Sequence, residues 1–395
     1  MEAQNYISRR AVPLRIGNAM FVPQPPAVRA IERITPTLYD ALLKCEARGA
    51  WIASETLDRV PPHPRALLGI AAHAVVERAR TGRLDGESAE DRLEFAAALF
   101  DTRMAELFSK TTPLLRVKFP APERLPFYYL YRARASQLAA ELTPRRLSPE
   151  TRAMHDAAHR PKVAIEGPLL SSDGRVAGRP DVLDSVRMQV VDSKFGIPAN
   201  PKELSTSEAR QLRLYAFLAQ ENGVPVRTGV IERGDRTKLQ LPISREEAIN
   251  EGKQAIAALD AFNKNAGKHF DELASPSPEN CRFCPCIAFC ERFWSTSEPI
   301  WSATCGTHIE GVIDSVGEGE ELVSIHLDVR RGTGPHGRGV ITRLSRDWLT
   351  FDGTPMPASG QSIRVVDATV VPEAKDPAVF TGDKVATAVW MLAPD

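Results

Sequence analysis

The stretch from Met188 to Phe195, MQVVDSKF, restricts the fold of this chain more than any other. Its apolar residues mark a strand, and strand alternation sends side chains i and i+2 to the same face. Asp192 and Lys194 therefore project together, while Val191 and Ser193 face the other way. An acid and a lysine on an otherwise apolar strand are costly to bury unless they pair or hold an ion. The neighbouring sequence converges on the same place. Residues 163–170 and 175–185 alternate or run apolar and are read as strands, with Asp173-Gly174 as a hairpin turn between them. Residues 207–220 form an expected helix that carries Gln211 and Tyr215 at i, i+4, on one face. A β-β-β-α run thus gathers Glu166, Asp181, Asp192, Lys194, Gln211 and Tyr215, and something bound is expected among them.

Upstream the pattern is helical. Thr35 is an expected N-cap with Pro36 at the first helical position, opening a helix over 37–53 that carries Leu38, Leu42, Cys45 and Trp51. Further helices are expected over 65–80, 87–109 and 123–141. The last holds Phe127, Tyr128, Tyr129 and Tyr131, read as core in preference to a base-stacking surface. This lobe, about residues 60–160, is basic towards its end: Arg116, Lys118, Arg124, Arg132, Arg134, Arg145, Arg146, Arg152 and Arg160 face only Glu123, Glu141, Glu150 and Asp156. Such a surface is compatible with a phosphate-backbone partner or with ordinary solvation. Net charge does not decide between them, since 50 Lys and Arg balance 50 Asp and Glu. Residues 1–30 are Pro-rich and are read as an extended arm.

Downstream, strands are expected near 226–232 and 237–241, then a helix over 245–263 capped by Ser244. Beyond residue 305 short β-branched runs at 308–316, 321–329, 339–344, 362–369 and 384–392 are separated by Gly/Pro turns. Five strands in this span suit a small barrel over 300–395, OB-like or SH3-like. Its loop 330–338, RRGTGPHGR, is basic and glycine-rich, so a phosphate backbone could approach it closely. No GxxxxGK[ST] loop occurs, so the chain shows no ATP motor of its own. No apolar run approaches the roughly 20 residues of a membrane span, and the N-terminus lacks a secretory pattern. No membrane partner is expected, and a cytoplasmic location follows by default.

Hydrolysing a phosphodiester needs a divalent metal, a positioned water and charge stabilisation at phosphorus. Magnesium or manganese takes oxygen ligands and keeps several waters, so two or three carboxylates suffice. Asp181 and Asp192 are the candidate pair, with the Ser193 carbonyl beside the same ion. Lys194, a compact cation, suits holding the attacking water or the phosphate in preference to a mere ion pair with Asp192. His73 on the helix over 65–80 is a candidate further ligand, and Glu77, one turn later, could orient it. Gln211 and Tyr215 could reach the phosphate or fix Lys194.

A second cluster, Cys281-x-x-Cys284-Pro-Cys286-x-x-x-Cys290, points to zinc or an iron–sulfur cluster; in a cytosolic chain it is not a disulfide framework. If three of these bind, the fourth ligand is Cys45, Cys286 or, less readily, Cys305.

His73, Gly178-Arg179-Pro180-Asp181, Asp192-Ser193-Lys194 and Gln211-x-x-x-Tyr215, in this order, resemble the PD-(D/E)XK nucleases of the RecB type. The branch resembled carries an iron–sulfur clasp and includes the AddB nuclease domain and the CRISPR-adaptation exonuclease. The resemblance covers residues 35–295. It implies an α/β fold with a restriction-endonuclease-like core, a mixed central sheet flanked by helices, over 31–295 and interrupted by the helical lobe. It implies metal-dependent cleavage of DNA, commonly from single-stranded ends, in recombination, repair, CRISPR adaptation or phage defense. It also implies a 4Fe-4S cluster on Cys45, Cys281, Cys284 and Cys290, with Cys286 spare. Cys45 is followed by Glu46-Ala47-Arg48 where relatives usually have a proline-arginine pair. The barrel lies outside the family pattern and is a candidate surface for a helicase or defense-complex partner. The rival reading is a DNA-binding scaffold subunit, against which the intact D…DxK set weighs.

Overall fold

The computed structural model describes residues 21–393, apart from 55–56, 58–59, 85, 87, 143–162, 166, 197–199, 201, 351–352 and 384. Glu166 and the arginines at 145, 146, 152 and 160 lie outside the described residues. The described part of the expected arm is held down at several points. Phe21 bridges to Met391, Val28 enters the main core, and the Gly267 N–H donates to the Val28 carbonyl at 2.9 Å.

Thr35 caps the first helix as expected, its hydroxyl accepting from the Leu38 N–H at 3.3 Å. The single helix expected over 37–53 is two: α1 (Pro36–Lys44) and α2 (Glu46–Ala53), broken at Cys45, whose backbone is extended at φ −164°, ψ 121°. The lobe that follows is α3 (Pro64–Arg80), α4 (Ala89–Ser109), α5 (Pro113–Lys118) and α6 (Tyr128–Leu142). Leu68, Val75, Phe100, Met104, Tyr128, Tyr131 and Ala135 form its core. The aromatic cluster therefore splits: Tyr128 and Tyr131 are core, whereas Phe127 and Tyr129 are exposed.

The central sheet runs β1 (Val163–Ile165), β4 (Val182–Asp184), β5 (Gln189–Lys194), β6 (Thr228–Arg233) and β7 (Lys238–Pro242), in that order. Neighbours are antiparallel except β5 and β6, which are parallel. A parallel pair needs a crossover, and α7 (Thr206–Glu221) supplies it. Ser205 and Glu208 close its first turn as a capping box, as Ser244 and Glu247 do for α8 (Arg245–Asn263). β2 (Leu169–Leu170) and β3 (Ala177–Gly178) form a separate hairpin around Asp173-Gly174. Leu38 and Leu42 of α1, Leu212 and Leu218 of α7 and Leu259 of α8 pack on Leu183, Val190 and Ile231 of the sheet. The mixed central sheet flanked by helices is present.

The C-terminal region is β8 (Thr307–Glu318), β9 (Leu322–Gly332), β10 (Gly337–Ser345), β11 (Ser362–Lys375), β12 (Ala378–Thr381) and β13 (Ala388–Met391). Strands β12-β10-β9-β8-β11 pair in sequence and β11 returns to β12, closing a five-stranded barrel. The strand expected at 384–392 is β13, which pairs with β11 outside that ring. The closing strand β12 is four residues after a Pro, too short for the expected alternation to reveal. Arginines of the 330–338 loop are paired: Arg330 with Asp328, Arg331 with Glu310 and Arg338 with Asp376. Among the described residues no helix is long and apolar enough to cross a membrane.

Candidate active site

Strand β5 and helix α7 bring the expected residues together. Asp192 is 4 % exposed. The Lys194 ammonium lies 2.7 Å from Asp192 Oδ2 and donates to Gln211 Oε1 at 3.0 Å. Gln211 Nε2 donates to Asp192 Oδ1 at 2.8 Å and lies 3.2 Å from the Tyr215 hydroxyl. Acid, lysine and amide form a closed triangle, with Tyr215 one helical turn behind. Asp192 and Lys194 project together, as strand alternation predicts, and lie in ion-pair contact. The pair is imperfect: Asp192 Oδ2 has the ammonium nearby but no aligned hydrogen-bond donor.

Asp181 precedes β4 and is buried. Its Oδ2 accepts from the Ser193 N–H at 2.6 Å, with His73 Nδ1 at 3.6 Å and Arg80 at 3.7 Å. Ser193 therefore links the two carboxylates through β5 itself. Burial pushes the Asp181 carboxyl up, but His73, the Ser193 N–H and Arg80 outweigh it and hold it below the usual carboxylate range. Burial drives Asp192 above that range; Lys194 opposes the rise and the Asp181 charge adds to it.

His73 reaches the site from α3, its ring set edge-on to Phe195 at 5.1 Å. Glu77 does not orient it. Its carboxylate accepts from Arg179, in the turn between β3 and β4, at 3.0 Å, a charge-assisted bond. Gly178 has a packing reason: a Cβ there would lie 2.7 Å from Leu218 Cδ1 and 2.9 Å from Tyr215 Cε1. The glycine lets the tyrosine ring lie against β3.

Arg80 is a residue that sequence reasoning missed. Two turns beyond His73 on the same face of α3, it donates to the Ser193 hydroxyl at 2.8 Å and to Glu232 at 2.7 Å. Glu232 sits opposite Ser193 in the β5–β6 register. The i, i+7 spacing from His73 was the available signal.

Among the described residues, no three His, Cys, Asp or Glu side chains converge on a site for one metal ion. The chemistry of the set nonetheless fits a hard cation: two adjacent buried carboxylates, one lacking a full complement of donors, with an imidazole at their edge.

Five cysteines line a common cavity without three of them converging on one point. Cys45 sits at the α1–α2 break, its sulfur 3.5 Å from the Ser275 N–H and 4.0 Å from the Leu273 carbonyl. Cys45, Cys281, Cys284, Cys286 and Cys290 line one cavity with Arg48, Ile287 and Phe293. Cys305 is buried near the start of the barrel and does not line that cavity. All six are free. Burial pushes the Cys281 thiol up to about 12 and also raises Cys290. A hydrogen bond with Cys286 brings Cys284 down to about 7. Bound metal would deprotonate such thiols, and several sulfurs in a largely apolar cavity are the donors and surroundings that iron–sulfur clusters take.

No curated protein matches the chain. Among solved structures, one described as the crystal structure of SSO0001 aligns at 12 % identity with a TM-score of 0.21, covering 48 % of this chain and 93 % of that one. The family model of the PD-(D/E)XK nuclease superfamily matches residues 33–291, the span that holds both the carboxylate site and the cysteine cavity. The chain belongs to the PD-(D/E)XK nuclease superfamily and is a hydrolase of the nuclease kind.

Proposed function

We propose that the chain is a divalent-metal-dependent deoxyribonuclease that degrades DNA from free, single-stranded ends. The observation that carries this reading is the closed Asp192–Lys194–Gln211 triangle set beside buried Asp181 through the Ser193 N–H. Asp181 and Asp192, with the Ser193 carbonyl, would hold Mg²⁺ or Mn²⁺, and His73 and Glu166 would complete the surroundings. Metal bound there supplies charge neutralisation of phosphate oxygens and a more acidic water. Lys194 is the exposed corner of the triangle, 32 % exposed against 6 % for the Asp192 side chain, so it is the group a water or phosphate oxygen reaches. Gln211 holds that ammonium in place, and Tyr215 holds Gln211.

Labelled DNA incubated with manganese and either wild type or Lys194→Ala tests this. Removing a group that positions water or moves a proton should slow cleavage at least roughly 100-fold. Equal degradation by both proteins would sink the role of Lys194. Circular single strands should survive where linear ones are degraded; equal loss would remove the requirement for ends. DNA bound in EDTA and left uncut when metal is restored would favour the scaffold reading.

The cysteine cavity is assigned a 4Fe-4S cluster on Cys45, Cys281, Cys284 and Cys290. It would tie the α1–α2 joint to the 281–290 segment that follows α8, with Cys286 as the spare sulfur in the same cavity. Protein purified without oxygen should be brown, and Cys45→Ala should lose the colour. A colourless protein with stoichiometric zinc would overturn the cluster.

For the barrel, the ring order β8-β9-β10-β12-β11 with β10 and β12 parallel supports the OB-like form over the SH3-like one. It is the surface we assign to a helicase or defense-complex partner.

A further inference from the structure

Arg48, on α2, differs from the other inward-facing arginines. Arg80, Arg233 and Arg364 each pair with a carboxylate. The half-buried Arg48 side chain makes no hydrogen bond or ion pair among the described residues, although its charge lowers the Cys284 thiol. A partly desolvated guanidinium without a partner is unfavourable and points to a ligand.

Arg48 stands in the wall between two cavities. One is the cysteine cavity. The other opens to solvent, measures about 220 Å³, and is lined by Arg48 together with Thr37, Asp40, Ser207, Lys194 and Gln211. Two corners of the catalytic triangle therefore form part of its wall. At the roughly 30 Å³ that a water takes in the liquid, the space suits a phosphate group with its hydration better than a single water. Among the described residues, Arg48 is the one uncompensated charge in its wall: Asp40 pairs with Lys44 at 2.6 Å and with Arg210 at 3.1 Å, and Lys194 pairs with Asp192 at 2.7 Å. Arg48 faces this space together with the part-exposed ammonium of Lys194. The first turns of α1 and α7 border it too and add to the positive potential.

We infer that this cavity is the subsite for the phosphate that neighbours the scissile one on the DNA strand, with Arg48 as its anion-binding residue. The inference rests on the nuclease reading above. Arginine suits the task because its planar fork meets two phosphate oxygens at once, which a lysine cannot do. Lys194 and Arg48 then hold successive phosphates from one connected surface, which sets the strand's register before cleavage.

The test compares wild type, Arg48→Ala and Arg48→Lys on two substrates with manganese. One is a short single-stranded oligonucleotide; the other is bis(p-nitrophenyl) phosphate, which has no neighbouring phosphate. For Arg48→Ala, kcat/KM on the oligonucleotide should fall roughly tenfold further than on the small diester, the scale of one charge-assisted contact, with Arg48→Lys in between. In EDTA, oligonucleotide affinity should fall and the slope of log affinity against log salt should shrink by about 1. Iron content and colour should match wild type. An equal fall on both substrates, or an unchanged salt slope, would overturn the subsite. Should wild type cleave neither substrate, the nuclease reading fails by itself, and the salt slope in EDTA still decides whether Arg48 binds a phosphate.

Discussion

Behind β5 four charges are held together, and Arg80 stands at their centre. Arg80, with a side chain 7 % exposed, lies between Glu232 at 2.7 Å and Asp181 at 3.7 Å. Lys238 reaches Glu232 from the solvent side at 3.0 Å. Arg80 is thus a cation shared by two buried carboxylates, one just before β4 and one on β6. Replacing it by methionine would keep most of its volume and leave Glu232 with one exposed lysine. Removing one partner of a buried pair costs about 3 kcal/mol or more because the other charge stays buried. Lys238 moderates this, so Arg80→Met is expected to lose about 2–3 kcal/mol, read as the shift in denaturant midpoint times the slope. A midpoint within about 0.5 kcal/mol of wild type would mean that Arg80 is not the keystone of this cluster.

At the scale of elements, the polar spacing of the site was legible and the joints were not. Asp192, Lys194, Gln211 and Tyr215 meet because a strand repeats every two residues and a helix returns every 3.6, and both periods are visible in the sequence. Arg80 was obscure because its partners, Ser193 and Glu232, lie 113 and 152 residues away. The break at Cys45 was hidden for another reason. Apolar residues continue in helical phase across it, from Leu42 through Cys45 to Ile52, so periodicity alone extends one helix through both. One signal was present. A Cβ on Gly49 would fall 2.2 Å from Leu42 Cδ2, so the glycine lets the Leu42 side chain of α1 pack directly on α2. The barrel followed the same division: long strands such as β8 and β9 were legible by alternation, whereas the four-residue β12 was not.

At the scale of the whole molecule, the barrel is seated on the cysteine segment by Arg364, with Arg331, His308 and Val366 beside it. Ile363 and Val365 point into the barrel core, so strand alternation directs Arg364 between them to the outside. Yet Arg364 is 1 % exposed, because the segment 287–294 covers it. Its guanidinium donates to Glu310 across the β8–β11 pair at 2.7 Å, to the Ala288 carbonyl at 2.9 Å and to Glu291 at 2.5 Å, and it lies 5.0 Å from the Trp294 ring. All three nitrogens of the fork therefore donate, one to the barrel's own Glu310 and two to the segment between Cys286 and the helix after Cys290. Lysine would keep the charge but could not serve three acceptors in a plane. Buried Glu310 would keep only Arg331, which is half exposed, at 2.8 Å. Arg364→Ala is expected to lose about 3 kcal/mol, and Arg364→Lys to recover only part of it. The loss should appear first as protease cleavage between residues 295 and 306, before the nuclease core unfolds, because the seat between barrel and core is what weakens. Coincident loss of both regions in the variant would show instead that Arg364 supports the fold as one cooperative unit.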